Sequence, residues 1–344
     1  MALPCIFNPS NDMALAANVR QYRPPKRIQQ MEADLAELAR VWEGTRFAGP
    51  WGWSLATKQM YRQMGIPESE LPSDEWLKEL RRLSSREFAC GYIRRMLEEL
   101  DTPRLLGEEM RWIDNKSFSW GALTATESTS SMSADRCRRC RQTDVVDVDF
   151  EATDGCDRWI FKSPWSSSGR GVFVASSLDD QARQRLQGML SSQGGFVMDR
   201  FYADKVLDFA MEFLVDDNHK VDFLGYSVFH ASEHGTYGYN YVESQEELKM
   251  RIGEETALFS RLIEYHREHL AETSYRGPVG IDMLMTADGR VHPCLEINFR
   301  MNMGILALLL HERYGSGCTI QLTPPRAKGF NALVEEGRLC IKFL

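Results

Sequence analysis

Apolar residues recur at helical spacing over 29–42, 54–64, 74–83 and 84–100. Before them stands a short apolar run, 3–7, that reads as a strand and ends in the polar turn Asn8-Pro9-Ser10-Asn11-Asp12. The first hundred residues thus predict a small α/β or mostly helical unit. Asn11-Asp12 ahead of Met13-Ala14-Leu15-Ala16 reads most simply as a helix cap. Asp101-Thr102-Pro103 breaks the pattern and marks a boundary. A Ser-, Thr- and Arg-rich stretch at 126–143 reads as a loop. Around and beyond it the period shifts to strands, at 145–150, 158–162, 171–174, 195–199, 206–215 and 220–229, with one helix near 178–190. Ser244 and Glu247 form a capping-box signature that opens a helical run to about residue 271. Segments 278–286 and 291–298 then read as a hairpin around Asp288-Gly289, and 319–344 as an irregular tail with a short final strand. No internal repeat is present.

The chain has 344 residues, of which 43% are hydrophobic, enough for roughly two domains of ~150 residues with real cores. Lys and Arg number 41 against 49 Asp and Glu, a net charge of −8. That balance excludes a general nucleic-acid binder, which needs clustered cations, but leaves room for a local basic groove around one nucleotide. No apolar stretch is long enough for a transmembrane helix, and the start lacks a secretory signature. The 8 cysteines are scattered, which fits reduced thiols and a cytoplasmic location.

Two constellations carry chemistry. In Lys162-Ser163-Pro164-Trp165-Ser166-Ser167-Ser168-Gly169-Arg170-Gly171, a Lys ends one strand and a Ser/Gly turn leads to the next. Small residues let backbone N–H groups face anionic oxygens, and the Lys supplies a point charge. A plain hairpin with a Gly-rich turn is the competing reading. Neither the Walker pattern nor GxGxxG is present.

The second constellation is Gly280-Ile281-Asp282 with Glu296-Ile297-Asn298-Phe299-Arg300. Asp282, Glu296 and Asn298 are hard oxygen ligands set in apolar strands, where unpaired acids are costly. Magnesium bridged to phosphates would compensate them; a sheet face with salt-bridged acids is the alternative. Alternation puts Glu296, Asn298 and Arg300 on one face. A two-residue loop at Asp288-Gly289 would turn Glu296 away from Asp282. A three-residue loop, Ala287-Asp288-Gly289 with Gly289 left-handed, places Asp282 across from Cys294 and Glu296 on the same face. Metal binding therefore predicts the bulged loop.

These residues resemble the ATP-grasp superfamily in order and spacing, over roughly 105–310. The resemblance implies an α+β fold in which two lobes clamp ATP between antiparallel sheets, preceded by a small α/β N-terminal domain. It implies units at 1–104, 105–198 (first lobe with the phosphate loop), 199–318 (second lobe with the metal site) and a tail at 319–344. It also implies ATP and Mg2+, with Mn2+ as a substitute, and small-molecule carboxylate and amine substrates. Lys162 looks like the lysine on the α/β-phosphates, with Lys116 as an earlier nucleotide-binding lysine. Ser166, Ser167, Ser168, Gly169, Arg170 and Gly171 look like the loop closing over the triphosphate. Asp199, Arg200, Phe201 and Tyr202 resemble the adenine hinge, and Glu212, with Asp208 second, the ribose contact. Asp282, Glu296 and Asn298 look like the metal ligands and Arg300 like the basic group at the transferring phosphate. Three serines in the loop and an Asp opening the hinge depart from the family pattern.

The implied activity is phosphorylation of a carboxylate followed by attack of an amine or, second, a thiol. A nucleotide-binding regulatory protein and a kinase-like phosphotransferase are the rivals. Cys137 and Cys140 have zinc spacing but no second ligand pair and several adjacent arginines. His230 and His234 stand four apart without an HExxH glutamate; they read as an exposed loop or an acceptor contact. Arg81-Arg82 and Arg94-Arg95 read as solvated helix faces, and Trp51 and Trp53 as core.

Overall fold

The computed structural model describes residues 3–115, 158–166, 171–232, 237–254, 256–315, 317–323, 331–332 and 340–343. The expectations for Lys116, Ser167 to Arg170, Cys137, Cys140, His234, the loop at 126–143 and the strand at 145–150 lie outside these residues. Among the described residues no helix is long and apolar enough to cross a membrane.

The N-terminal region is helical: α1 (Asn11–Ala17), α2 (Lys26–Asp34), α3 (Leu55–Gln63), α4 (Asp74–Leu83) and α5 (Arg86–Leu100). Ser54, Ser73 and Ser85 cap the last three, each hydroxyl accepting from the backbone N–H three residues on. The expected strand at 3–7 is absent. Ile6 makes one isolated parallel bridge to Pro50, because no neighbouring strand offers a sheet to join. The helical pattern of 29–42 splits: α2 ends at Asp34 and a 3-10 turn, Ala36–Val41, follows. The tighter turn keeps Leu35 and Leu38, three apart, pointing inward.

A small antiparallel sheet holds β1 (Arg111–Asp114), β2 (Trp159–Lys162), β3 (Val172–Ala175) and β4 (Gly195–Arg200) in the order β1-β4-β2-β3. Helix α6 (Asp180–Gln193) covers it, burying Leu186 and Leu190 against Phe161, Phe173 and Phe196. The large sheet contains β5 (Lys205–Val215), β6 (Val221–Ala231), β7 (Tyr237–Val242), β8 (Gly277–Thr286), β9 (Val291–Asn298), β10 (Cys318–Thr323), β11 (Asn331–Ala332) and β12 (Cys340–Phe343). Its order is β11-β12-β10-β7-β6-β5-β8-β9. The run expected to reach residue 271 divides at Gly253, whose φ of +62° caps α7 (Gln245–Ile252) before α8 (Thr256–Ala271) begins. The capping box of Ser244 and Glu247 is present.

Strand alternation sorts β5. Phe209, Met211 and Phe213 enter a core shared with α4, α5 and α8, while Asp208, Ala210 and Glu212 face the cleft between the sheets. The N-terminal helices therefore share the large sheet's core. A second core joins the 3-10 turn to α9 (Met303–Tyr314) through Leu35, Leu38, Trp42, Ile305 and Leu306.

The β8–β9 hairpin turns through Ala287-Asp288-Gly289, the three-residue loop. Thr286 N–H donates to Arg290 C=O at 3.0 Å, and Gly289 sits at φ +79°. Met285 pairs with Val291 and Leu284 with His292, but Asp282 then pairs with Glu296, not with Cys294 as expected. Pro293, Cys294 and Leu295 oppose Met283 alone, so β9 bulges by two residues at a proline that has no N–H for the ladder. A shift of two preserves the face.

Gly289→Val should destabilise the protein by about 1–2 kcal/mol, since a β-branched residue resists the left-handed region. Urea denaturation of this variant beside Ala287→Val reads the difference; equal midpoints would show that the turn is not under conformational demand.

Candidate functional site

One cavity of about 730 Å³ opens between the sheets, and residues from far apart in the chain line it. Lys162 comes from the end of β2, Asp199 and Arg200 from β4, Phe201 and Tyr202 from the segment after it, and Glu212 from β5. Asp282 comes from β8, Glu296 and Asn298 from β9, and Arg300 from just beyond.

Three acids converge. Asp282 pairs with Glu296 on one side and Ala210 on the other, and Glu212, two positions past Ala210, shares the face. Burial, followed by the charges of Glu296 and Glu212, pushes the Asp282 carboxyl well above its ordinary value. Glu212 is held by Ser227 Oγ, which donates to Oε1 at 2.7 Å, and by Asn302 Nδ2, which donates to Oε2 at 2.8 Å. Burial outweighs these two bonds and raises its carboxyl to about 7. Glycine is needed here: a Cβ at Gly304 would lie 2.0 Å from Glu212 Oε1. Glu212 thus sits at the Asn302 end of β5. Asp208 lies four residues nearer the hinge, ion-paired to Lys205 at 2.7 Å.

Each cation has its own acid. Lys162 Nζ lies 4.0 Å from Asp199 Oδ2 in the interior, and burial lowers its ammonium against the pull of Asp199. Asp199, expected at the hinge, lies under it: His292 Nε2 is 3.3 Å from Oδ2, and Oδ1 accepts from the Arg200 N–H at 2.8 Å. Burial opposes ionisation of Asp199, but His292 and Lys162 outweigh it and hold the carboxyl low. In the hinge, Phe201 N–H donates to Arg158 C=O at 3.1 Å, and Tyr202 C=O accepts from Lys205 N–H at 3.2 Å.

Arg300 makes a bidentate pair with Asp12, at 3.0 Å from Nε and 2.9 Å from Nη2. Burial disfavours its charge, and Asp12 more than restores it. Asp12 is therefore no helix cap. Ser10 stands at the N-cap of α1 without a side-chain capping bond, and Asp12, in the first turn, is turned to Arg300.

Arg86, at the start of α5, is the residue the sequence did not single out. Its Nη1 donates to Ser163 C=O at 2.6 Å and to Ser166 Oγ at 2.7 Å, and its Nη2 donates to Glu296 Oε2 at 2.6 Å. It ties the segment after β2 to β9. Gly171 closes that segment with φ +69°, its C=O accepting from Ser163 N–H at 2.8 Å; a Cβ there would lie 2.6 Å from Ser163 Oγ. Lys162 pairs with Val172, so the loop joins two antiparallel strands, as its flanking sequence predicts.

Among the described residues no group of three or more His, Cys, Asp and Glu side chains forms a metal cage by itself. Asp282, Glu296 and Asn298 are a hard-oxygen set facing the cavity, with two mutually repelling acids that a divalent cation would neutralise.

No family model and no curated protein matches the chain. Among solved structures, it is similar to biotin carboxylase from Campylobacter jejuni in its β-γ-ATP complex, with TM-score 0.37 and 10% identity over 54% of this chain and 53% of that one. It is similar to D-alanyl-alanine synthetase A from Vibrio cholerae, with TM-score 0.39 and 14% identity over 65% and 57%. A putative ATP-grasp superfamily protein from Archaeoglobus fulgidus matches with TM-score 0.35 and 14% identity over 56% of each chain. The chain thus spans little more than half the length of these three structures.

Glu212 gives a pH signature. Its folded carboxyl, at about 7, lies above the ordinary 4.5, so its contribution to stability is full below about pH 4.5 and fades as pH rises to about 7. Relative to Glu212→Gln, the wild type should lose on the order of 3 kcal/mol across that window. Parallel denaturation curves at pH 4.5 and 7.5 would contradict the assignment.

Proposed function

We propose that the chain is an ATP- and magnesium-dependent ligase of ATP-grasp type that joins a carboxylate to an amine, or to a thiol, through an acylphosphate. The observation that carries the reading is the convergence of Lys162, Asp282, Glu296 and Arg300 on one cavity between two antiparallel sheets. Lys162 and the segment from Ser166 to Gly171 hold the phosphates. The backbone of Asp199 to Tyr202 that is not engaged within the protein meets adenine. Asp208, on the hinge side of Glu212, takes the ribose. Asp282, Glu296 and Asn298 hold Mg2+, or Mn2+, which supplies charge neutralisation on the γ-phosphoryl group.

The chain's own groups position the reactants. The acceptor carboxylate oxygen attacks the γ-phosphorus, the bond to the β-phosphate oxygen breaks, and ADP leaves. The amine nitrogen then attacks the acyl carbon, the acyl C–O bond breaks, phosphate departs and the nitrogen's proton passes to solvent. Arg300, aligned by Asp12, and Lys162 stabilise the charge that builds on the transferring oxygens. The cysteine spacing supports a reducing, cytoplasmic setting.

MgATP at a hundredfold its dissociation constant should stabilise the protein by about 2.7 kcal/mol in a thermal-shift assay. Glu296→Ala should lose most of the magnesium-dependent part; Glu296→Gln, which keeps a partner for Arg86, controls for damage to the fold. ADP release should require an acid and an amine together. Release with one acceptor alone would make the protein a phosphotransferase, and binding without release a nucleotide-binding regulator.

A further inference from the structure

The cavity extends past the carboxylates. Along β5 its wall runs from Lys205 by the hinge to Glu212, roughly 23 Å at ~3.3 Å per residue. Beyond Glu212 the lining changes to Phe7, Pro9, Met31, Leu35, Trp51 and Met303, none of them charged. This wall is the open edge of the second core: Phe7, Leu35 and Trp51 are buried in it, and Met31 and Met303 pack half-exposed against it. Phe7 and Trp51 meet edge to face at 5.0 Å. The wall is fastened to the reacting centre, because Met301 N–H, next to Arg300, donates to Trp51 C=O at 2.8 Å.

A charged or hydroxylated group placed there would lose water and find no partner on these six side chains. An alkyl or aryl group would leave water and cover the half-exposed Pro9, Met31 and Met303, with Phe7, Leu35 and Trp51 packed behind them. Beside the wall, Asn302 is bonded to Glu212 and to the N–H of Ile305, and Arg300 is paired with Asp12. We infer that the acceptor is a monocarboxylic acid with an apolar body, its carboxylate at the Arg300 end of the acid cluster and its chain against the Phe7–Trp51–Met303 wall. The inference rests on the ligase reading and names its substrate class.

The test uses the full chain with MgATP and hydroxylamine as a general trapping amine, which converts the acylphosphate to a hydroxamate and free phosphate. Acetate, butyrate, hexanoate and phenylacetate are compared with succinate and glutarate by ADP release. The expected result is a rise in kcat/KM of about fourfold per added methylene, with both dicarboxylates no better than acetate. Met31→Gln and Met303→Gln, at half-exposed positions, should each cut the hexanoate-to-acetate preference at least threefold. Hexanoate should also raise the melting temperature in the presence of MgADP more than acetate does. A flat series, or a preference for dicarboxylates, overturns the inference while the MgATP thermal shift leaves the nucleotide reading standing. Absence of that shift, with no ADP release from any acid, overturns the ligase reading and this inference with it.

Discussion

One buried guanidinium sets the geometry of the cleft. Arg86 reaches Glu296 at 2.6 Å while its other arm holds Ser163 and Ser166, so a helix from the N-terminal region, the segment after β2 and β9 meet at one group. The two residues in contact are 210 apart in the chain. A cation in the interior is tolerated only with its charge answered, and the bonds from the two terminal nitrogens of Arg86 fix three elements relative to one another. Around it each further cation has a dedicated acid: Lys162 with Asp199, Arg300 with Asp12. Asp282 and Glu212 are left with neutral partners, and burial raises both carboxyls. The excess of acid at the centre of the cavity is thus a product of how the pairs are allotted.

The N-terminal helices belong to this machinery. Helices α4 and α5 share a core with β5, β8 and β9, Asp12 of α1 orients Arg300, and Phe7 and Trp51 close the far end of the cavity. A clamp formed by the two sheets alone would lack the group that aligns Arg300, the strut at Glu296 and one wall.

What could be read from the chain followed from local rules. The α3, α4 and α5 helices, the β5 and β6 strands, the β8–β9 pair, the capping box at Ser244 and the loop with Gly289 all declare themselves through spacing, capping and turn chemistry. So did the residues of the cleft whose alternation puts them on one strand face, Asp282, Glu296 and Asn298. Residues recruited from a distance left no such mark. Arg86 looks like any polar residue in a first helical turn, and Asp12 like a cap; their partners lie 210 and 288 positions away. Asp199 sits in a stretch that reads as a hinge, yet its side chain turns inward, with Oδ2 4.0 Å from Lys162 Nζ and 3.3 Å from His292 Nε2. The bulge at Pro293 escaped the pairing arithmetic because register from a turn holds only while both strands can bond in step.

That bulge gives the hairpin a parity. Counting from Gly289, the chain meets Glu296 on the cleft face whether β9 runs in step or carries two extra residues, since side chains repeat every second position. Gain or loss of a single residue between the turn and Glu296 would instead turn the carboxylate to the opposite sheet face, toward the core packed under α5. Length variation in this hairpin is therefore quantised in pairs, and an odd step would remove the acid without changing one letter of the Glu296–Asn298–Arg300 signature.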